Sequence, residues 1–296
     1  MTPRSLAERL ATPGVWFFTD LMSSPEARDF AQRLESLGYS ALWLPETVSR
    51  DPFAHIAFLA EHTESLVFAT GIANIFHRHP GAMTQATQTL GEQTGGRFVL
   101  GLGVSHAPLV SGLRKLDYSK PLSQMRSYLA AMDASPYRGP TTADPPPRLL
   151  AALGPKMLEL AAEQTDGVHP YWTTPEHTAI AREALGPDKL VCVEQKVVLS
   201  TDAGAARAAA SAAVDVYAAL PNYRNSWKRL GFTEDEIEHR EPRFLDGVVA
   251  WGDEAAVRRR VKDHYEAGAT HVCIQPLSVD GPGVLDWHAL EVLAPG

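Results

Sequence analysis

Leu66-Val67-Phe68-Ala69-Thr70-Gly71-Ile72-Ala73-Asn74 is the stretch on which the reading of this 296-residue chain turns. It begins as a short apolar run rich in β-branched and aromatic residues, the pattern of a buried strand. It ends on Gly71-Ile72, and the residues that follow turn polar: Asn74, His77, Arg78 and His79. A glycine at the mouth of a strand accepts backbone shapes and close approaches that other residues refuse. Gly71 either only turns the chain or lets a flat ligand lie against the backbone, and the local sequence leaves both readings open.

The same strand-then-helix unit repeats on either side of this stretch. Strands are expected at 14–18, 41–44, 66–72, 97–103, 149–153, 167–171, 190–199 and 271–275. Helices are expected at 24–37, with Ser24 as cap and Pro25 first, and at 52–62, 80–95, 155–164, 175–185, 253–267 and from Trp287. Short apolar strands alternating with amphipathic helices imply parallel strands covered by helices. Eight such units make a (β/α)8 TIM barrel. Three segments stand outside the alternation and read as insertions on one domain spanning 1–296: an irregular stretch at 104–120, a proline-rich one at 135–147, and an alanine-rich then charged helical one at 203–244.

Composition narrows the partners. Hydrophobic residues make up 45% and charged residues 21%, a globular balance, and the net charge of −8 comes with no basic face. Nucleic acid and anionic membranes are therefore not expected partners. Cys192 and Cys273 each sit in an apolar strand, which suggests buried thiols in a reducing compartment. No stretch is long and apolar enough for a bilayer span, and the first residues lack a signal-peptide core, so a cytoplasmic location is expected.

A barrel of this kind carries its site at the C-terminal ends of the strands. That places Asp20, Glu46, Thr47, Gly71, Ile72, Asn74, Ser105, His106, Gly154, His169 and Gln275 at the mouth. No nucleophile elbow, phosphate loop or zinc signature is present. His77-x-His79 lies past a strand end with no carboxylate close in sequence, so no metal is expected. At Ala152-Leu153-Gly154-Pro155-Lys156 a strand runs straight into a helix, leaving backbone N–H groups outward. This is either an ordinary helix start or an anion site.

Over nearly its whole length the chain resembles the luciferase-like flavin and deazaflavin oxidoreductases, particularly the branch that uses coenzyme F420. The resemblance rests on Ala41-Leu42-Trp43-Leu44-Pro45-Glu46, Ala69-Thr70-Gly71-Ile72 and Gly96-Arg97-Phe98-Val99-Leu100-Gly101-Leu102-Gly103. Ala151-Ala152-Leu153-Gly154-Pro155-Lys156-Met157 and Thr165-Asp166-Gly167 complete it. It implies a deazaflavin ring at the strand ends, backed by a non-prolyl cis peptide at Gly71-Ile72. It also implies a cofactor phosphate at the loop after the fifth strand. Cofactor contacts are then expected from Gly71, Ile72, Asn74, Gly103, Ser105, Leu153, Gly154, Lys156 and Met157. Glu46 matches the family's acid after strand two, and Glu46 and His106 are the expected acid-base or polarising residues. Thr47 and His106 depart from the sugar-phosphate dehydrogenases of the family, which carry a histidine and an acid there. The resemblance thus implies an F420-dependent oxidoreductase acting on a small organic molecule. The alternatives are an FMN-dependent monooxygenase and a barrel that only binds a flavin-like cofactor. A homodimer is expected because the family is often dimeric.

Overall fold

The computed structural model describes residues 5–295, so residues 1–4, the start of the sequence read above, lie outside it. The described residues form ten strands: β1 Gly14–Trp16, β2 Ala41–Leu44, β3 Val67–Thr70, β4 Ala73–Asn74, β5 Phe98–Gly103, β6 Arg148–Leu150, β7 Gly167–Val168, β8 Leu190–Leu199, β9 Val249–Gly252 and β10 His271–Pro276. Eight close into a parallel barrel in the order β1-β2-β3-β5-β6-β7-β8-β10, with β10 paired to both β1 and β8. The expected (β/α)8 barrel is therefore present.

Side-chain alternation explains why the ring closes. In β2, Leu42 and Leu44 join the apolar layer beneath the helices, while Trp43 points into the barrel with Trp16, Val99, Leu149, Cys192 and Cys273. Both faces are buried, which is why these strands read as unbroken apolar runs. Cys192 and Cys273 are free, buried thiols.

Several helices begin where a side chain satisfies their first N–H groups. Ser23, rather than the expected Ser24, caps the helix Ser24–Ser36. Its Oγ accepts from Glu26 N at 3.4 Å, and the Glu26 carboxylate accepts from Ser23 N at 2.7 Å. The reciprocal pair, three residues apart, selects Ser23 over its neighbour. Residues 121–134, to which the sequence reading assigned nothing, include the helix Pro121–Asp133 that returns the chain from β5 to β6. Within 104–120 the chain makes one wide π turn at Pro108–Leu113.

The 203–244 segment holds the helices Ala203–Ala218, Pro221–Arg229 and Glu234–Glu238, and leads into Pro242–Val248 and β9. β9 is a strand beyond the eight expected from the sequence. It pairs with Lys196–Leu199 of β8, above the point where β7 stops pairing at Val191. The whole excursion is roofed onto the barrel by its own apolar cluster, including Trp172, Trp227, Phe244 and Val249.

Candidate functional site

At the ends of β2 and β3 the fold gathers a charged network. Glu46 is 5% exposed, and its carboxylate accepts from Asn74 N at 2.7 Å, from the Arg78 guanidinium, and faces His77 Nδ1 at 3.2 Å. Arg78 reaches on to Asp51. Asn74 Nδ2 meets His77 Nε2 at 3.1 Å, and Asn74 Oδ1 accepts from Phe76 N. Burial pulls His77 below the usual histidine range, against the opposing pull of Glu46. The carboxylate absent from the sequence neighbourhood of His77 is thus supplied by β2. His79 lies apart and caps the helix Pro80–Gln93 through Gly81 N. Thr47 Oγ1 donates to Asp20 Oδ2 at 2.9 Å, which ties the loops after β1 and β2 together.

The Gly71–Ile72 peptide bond is cis, as the resemblance implies. The reason for glycine here is steric. A Cβ on Gly71 would lie 2.5 Å from Trp16 Nε1 and 3.1 Å from His169 Nε2. Trp16 uses that space to donate Nε1–H to Gly71 O at 3.0 Å. Gly103 does the same for Ile72, whose Cδ1 would be 2.5 Å from an added Cβ.

Beyond β5, Ser105 adopts a positive φ of 55° and its carbonyl accepts from Tyr118 Oη at 2.8 Å. His106 packs against the Tyr223 ring at 5.5 Å. Burial lowers its pKa, partly offset by a hydrogen bond with Asn222, and its Nδ1 is buried with no partner among the described residues. Beyond β6, Leu153 O accepts from His177 Nε2–H and from Arg229 Nη2–H, each at 3.2 Å. Gly154 starts the helix Pro155–Gln164 with an extended φ of −107°, so its backbone would suit any residue. A Cβ there would meet only the Arg229 guanidinium, 3.5 Å away. Met157 N–H already donates to Gly154 O. The Gly154 and Lys156 N–H groups have no partner among the described residues. Arg229 comes from the insertion and has no carboxylate partner among them either.

The far side of the mouth, after β7, β8 and β10, differs in kind. His169 stacks on Trp43 at 4.2 Å and donates Nδ1–H to Cys192 O at 2.9 Å. Burial pushes its pKa to about 3, so the ring is neutral. Glu194 and Lys196 form an ion pair at 3.0 Å, both side chains almost fully buried. Lys196 Nζ also sits 3.6 Å from the Tyr171 ring and 3.8 Å from that of Trp172. Burial raises the Glu194 pKa and lowers that of Lys196 to about 8, each opposed by its partner. Tyr171 donates to Gln275 Oε1 at 3.0 Å and meets Tyr217 Oη at 3.1 Å. Tyr171, Lys196, Tyr217 and Gln275 floor a cleft of about 990 Å³ between the loops after β1 and β10 and the helix Ala203–Ala218. Gly71, Ser105 and Gly154 do not line it. It meets their side of the mouth through Trp16, which packs on Tyr171 at 5.0 Å.

Gln275 and His169 stand at the mouth as the sequence suggests, whereas Trp16, Glu194, Lys196, Tyr217 and Arg229 were not singled out. A signal did exist for two of them. Glu194 and Lys196 sit two apart inside the apolar run of β8, so they share one face of a buried strand. Among the described residues no cluster of His, Cys, Asp or Glu could hold a metal ion, and no helix is long and apolar enough to cross a membrane.

Comparison with known proteins adds a family. Residues 7–271 match the family described as luciferase-like monooxygenase. A Mycobacterium tuberculosis protein, named as a candidate coenzyme F420-dependent oxidoreductase, is 26% identical, over 81% of this chain and 87% of its own. The coenzyme F420-dependent tetrahydromethanopterin reductase of Methanopyrus kandleri shares the fold with a TM-score of 0.75 at 17% identity, covering 96% of this chain and 97% of its own. So does the oxygenating part of a Pseudomonas putida diketocamphane monooxygenase in complex with FMN, with a TM-score of 0.69 at 16% identity, covering 96% of this chain and 97% of its own.

Proposed function

This chain is an enzyme of the luciferase-like monooxygenase family, and from that premise we propose that it is a coenzyme F420-dependent oxidoreductase acting on a small organic molecule. The observation that carries the reading is the helix start at Gly154. The chain is net negative, so an anionic cofactor needs a local site. Gly154 supplies two things: N–H groups at the positive end of a helix, and an open approach beside a guanidinium that has no carboxylate partner among the described residues. Gly154, Lys156 and Arg229 would hold the cofactor phosphate, and the Gly71–Ile72 segment would back the ring. When bound, the deazaflavin supplies hydride chemistry; the protein supplies position and protons.

His106 is the better placed proton carrier, since its Nδ1 has no partner among the described residues. Glu46 is engaged by Asn74, His77 and Arg78, and holds the loop that ends β3. His106→Ala should lower kcat by roughly a hundredfold with cofactor affinity kept, the lower end of what acid-base groups contribute. Unchanged turnover would remove it from the mechanism. The F420 name of the M. tuberculosis relative favours the deazaflavin over FMN. Difference spectra of the purified protein titrated with each cofactor decide between them. Tighter binding of F420 is expected, and tighter binding of FMN would overturn the reading in favour of a monooxygenase.

A further inference from the structure

We propose that the cleft beyond β1, β8 and β10 is the substrate site, and that it takes a neutral, largely apolar molecule bearing a carbonyl oxygen; calling its occupant the substrate rests on the oxidoreductase reading above. At about 990 Å³ the cleft suits a ligand of drug size rather than a few atoms. Its walls are apolar: Phe18 and Leu21 stand exposed on one side, Val279 and Val284 on another. The third wall is the alanine face of Ala203–Ala218, where Ala209 and Ala213 leave the space open. Exposed apolar side chains converging on one concavity are what an apolar ligand would cover.

Charge decides the class. Among the described residues two cations line the cleft, Arg33 and Lys196, and both are already paired, Arg33 with Glu291 and Lys196 with Glu194. The rim adds two acids, Glu26 and Asp29. Nothing is left to neutralise a phosphate or carboxylate, and burying an unpaired anion there would be costly. The floor instead offers a donor. Gln275 accepts from Tyr171 through Oε1, while its Nε2 donates to no described residue; Lys196 is paired with Glu194 and faces the Tyr171 and Trp172 rings, so it brings no net charge. An amide donor on a floor without net charge matches a neutral acceptor such as a ketone or aldehyde oxygen.

The test uses the whole chain without cofactor. Nile red, a neutral dye, reports occupancy, and 2-undecanone and undecanoate compete for it at pH 7.5. The ketone should displace the dye at least tenfold more effectively than the carboxylate of equal length. Ala213→Trp, which fills the cleft, should weaken dye and ketone binding at least tenfold while F420 titration is unchanged. If that variant is not folded by circular dichroism, Ala212→Trp, further out on the same face, replaces it. Equal competition by the carboxylate, or dye binding that survives the tryptophan, would overturn the proposal. So would a dimer that excludes the dye and dissociates in the tryptophan variant, since the face would then be an interface between copies. Failure of F420 binding with the ketone result intact would sink the cofactor reading alone.

Discussion

The two sides of the barrel mouth are built from the same kinds of side chain and handle charge in opposite ways. After β2 and β3, the Glu46 and Asp51 carboxylates pair with the Arg78 guanidinium, and His77, its pKa lowered by burial, faces the Glu46 carboxylate. After β7, β8 and β10 the titratable groups are desolvated, and most are pushed toward their neutral forms: His169 to about 3, Tyr171 and Tyr217 upward. The lesson is that a buried ionisable group is governed first by its distance from water and only then by its partner. Lys196 shows this directly, since its pKa falls to about 8 with a carboxylate 3.0 Å away. The first side is suited to fixing a loop, the second to presenting polar atoms in a dry cleft.

Acid should break the comparison most severely. His169, His264 and His271, with His177 close by, are held at about 3 to 4 by burial and so stay neutral in the folded chain. The unfolded chain binds protons near pH 6.5 and the folded one does not. Stability should therefore be fully present above pH 6.5 and fall as pH drops toward 4, by up to about 1.4 kcal/mol per pH unit for each histidine. Urea unfolding across that range measures it, and a flat profile would mean that these rings are solvated.

Next in size is Glu194→Ala, which strands Lys196 in the interior and should cost about 3–5 kcal/mol. Glu46→Ala leaves Arg78 paired with Asp51, and should cost about 1–3 kcal/mol, the scale of unpaired buried polar groups. Chemical denaturation of the two variants side by side would erase the contrast if their losses were equal.

Gly71→Ala should destabilise by about 1–3 kcal/mol, as overpacking does, because the added methyl meets Trp16. Trp16→Phe frees part of that space, so the double variant should lose less than the sum of the single ones. Strict additivity in thermal melts would mean that Trp16 is not the reason for the glycine.

The smallest effects belong to the anion site. Gly154→Val should keep the fold, since only the flexible Arg229 lies in the way, and weaken F420 about tenfold, near 1.4 kcal/mol. Lys156→Ala should cost less, because an exposed lysine acts as a screened point charge. Fluorescence titration of both variants ranks them. Unchanged affinity in folded Gly154→Val would move the phosphate elsewhere, with Arg78 and His79 the next candidates.

The sequence by itself determined the alternation of eight strands with helices, the position of the Gly71–Ile72 turn, and the helix start at Gly154. Each depends on residues within a turn or a strand of one another, through side-chain period, caps and breakers. It also carried the family resemblance. It did not determine β9 or the Pro121–Asp133 helix, whose signals are weak without the neighbours they pack on. Only the tertiary structure decided the partners at the mouth. Trp16 reaches Gly71 across 55 residues, Arg78 reaches Glu46 across 32, and Tyr171 reaches Gln275 across 104. Such contacts exist because closure of the barrel fixes the register of every strand at once. No local pattern encodes which side chains then meet inside the ring, nor how far each is removed from water.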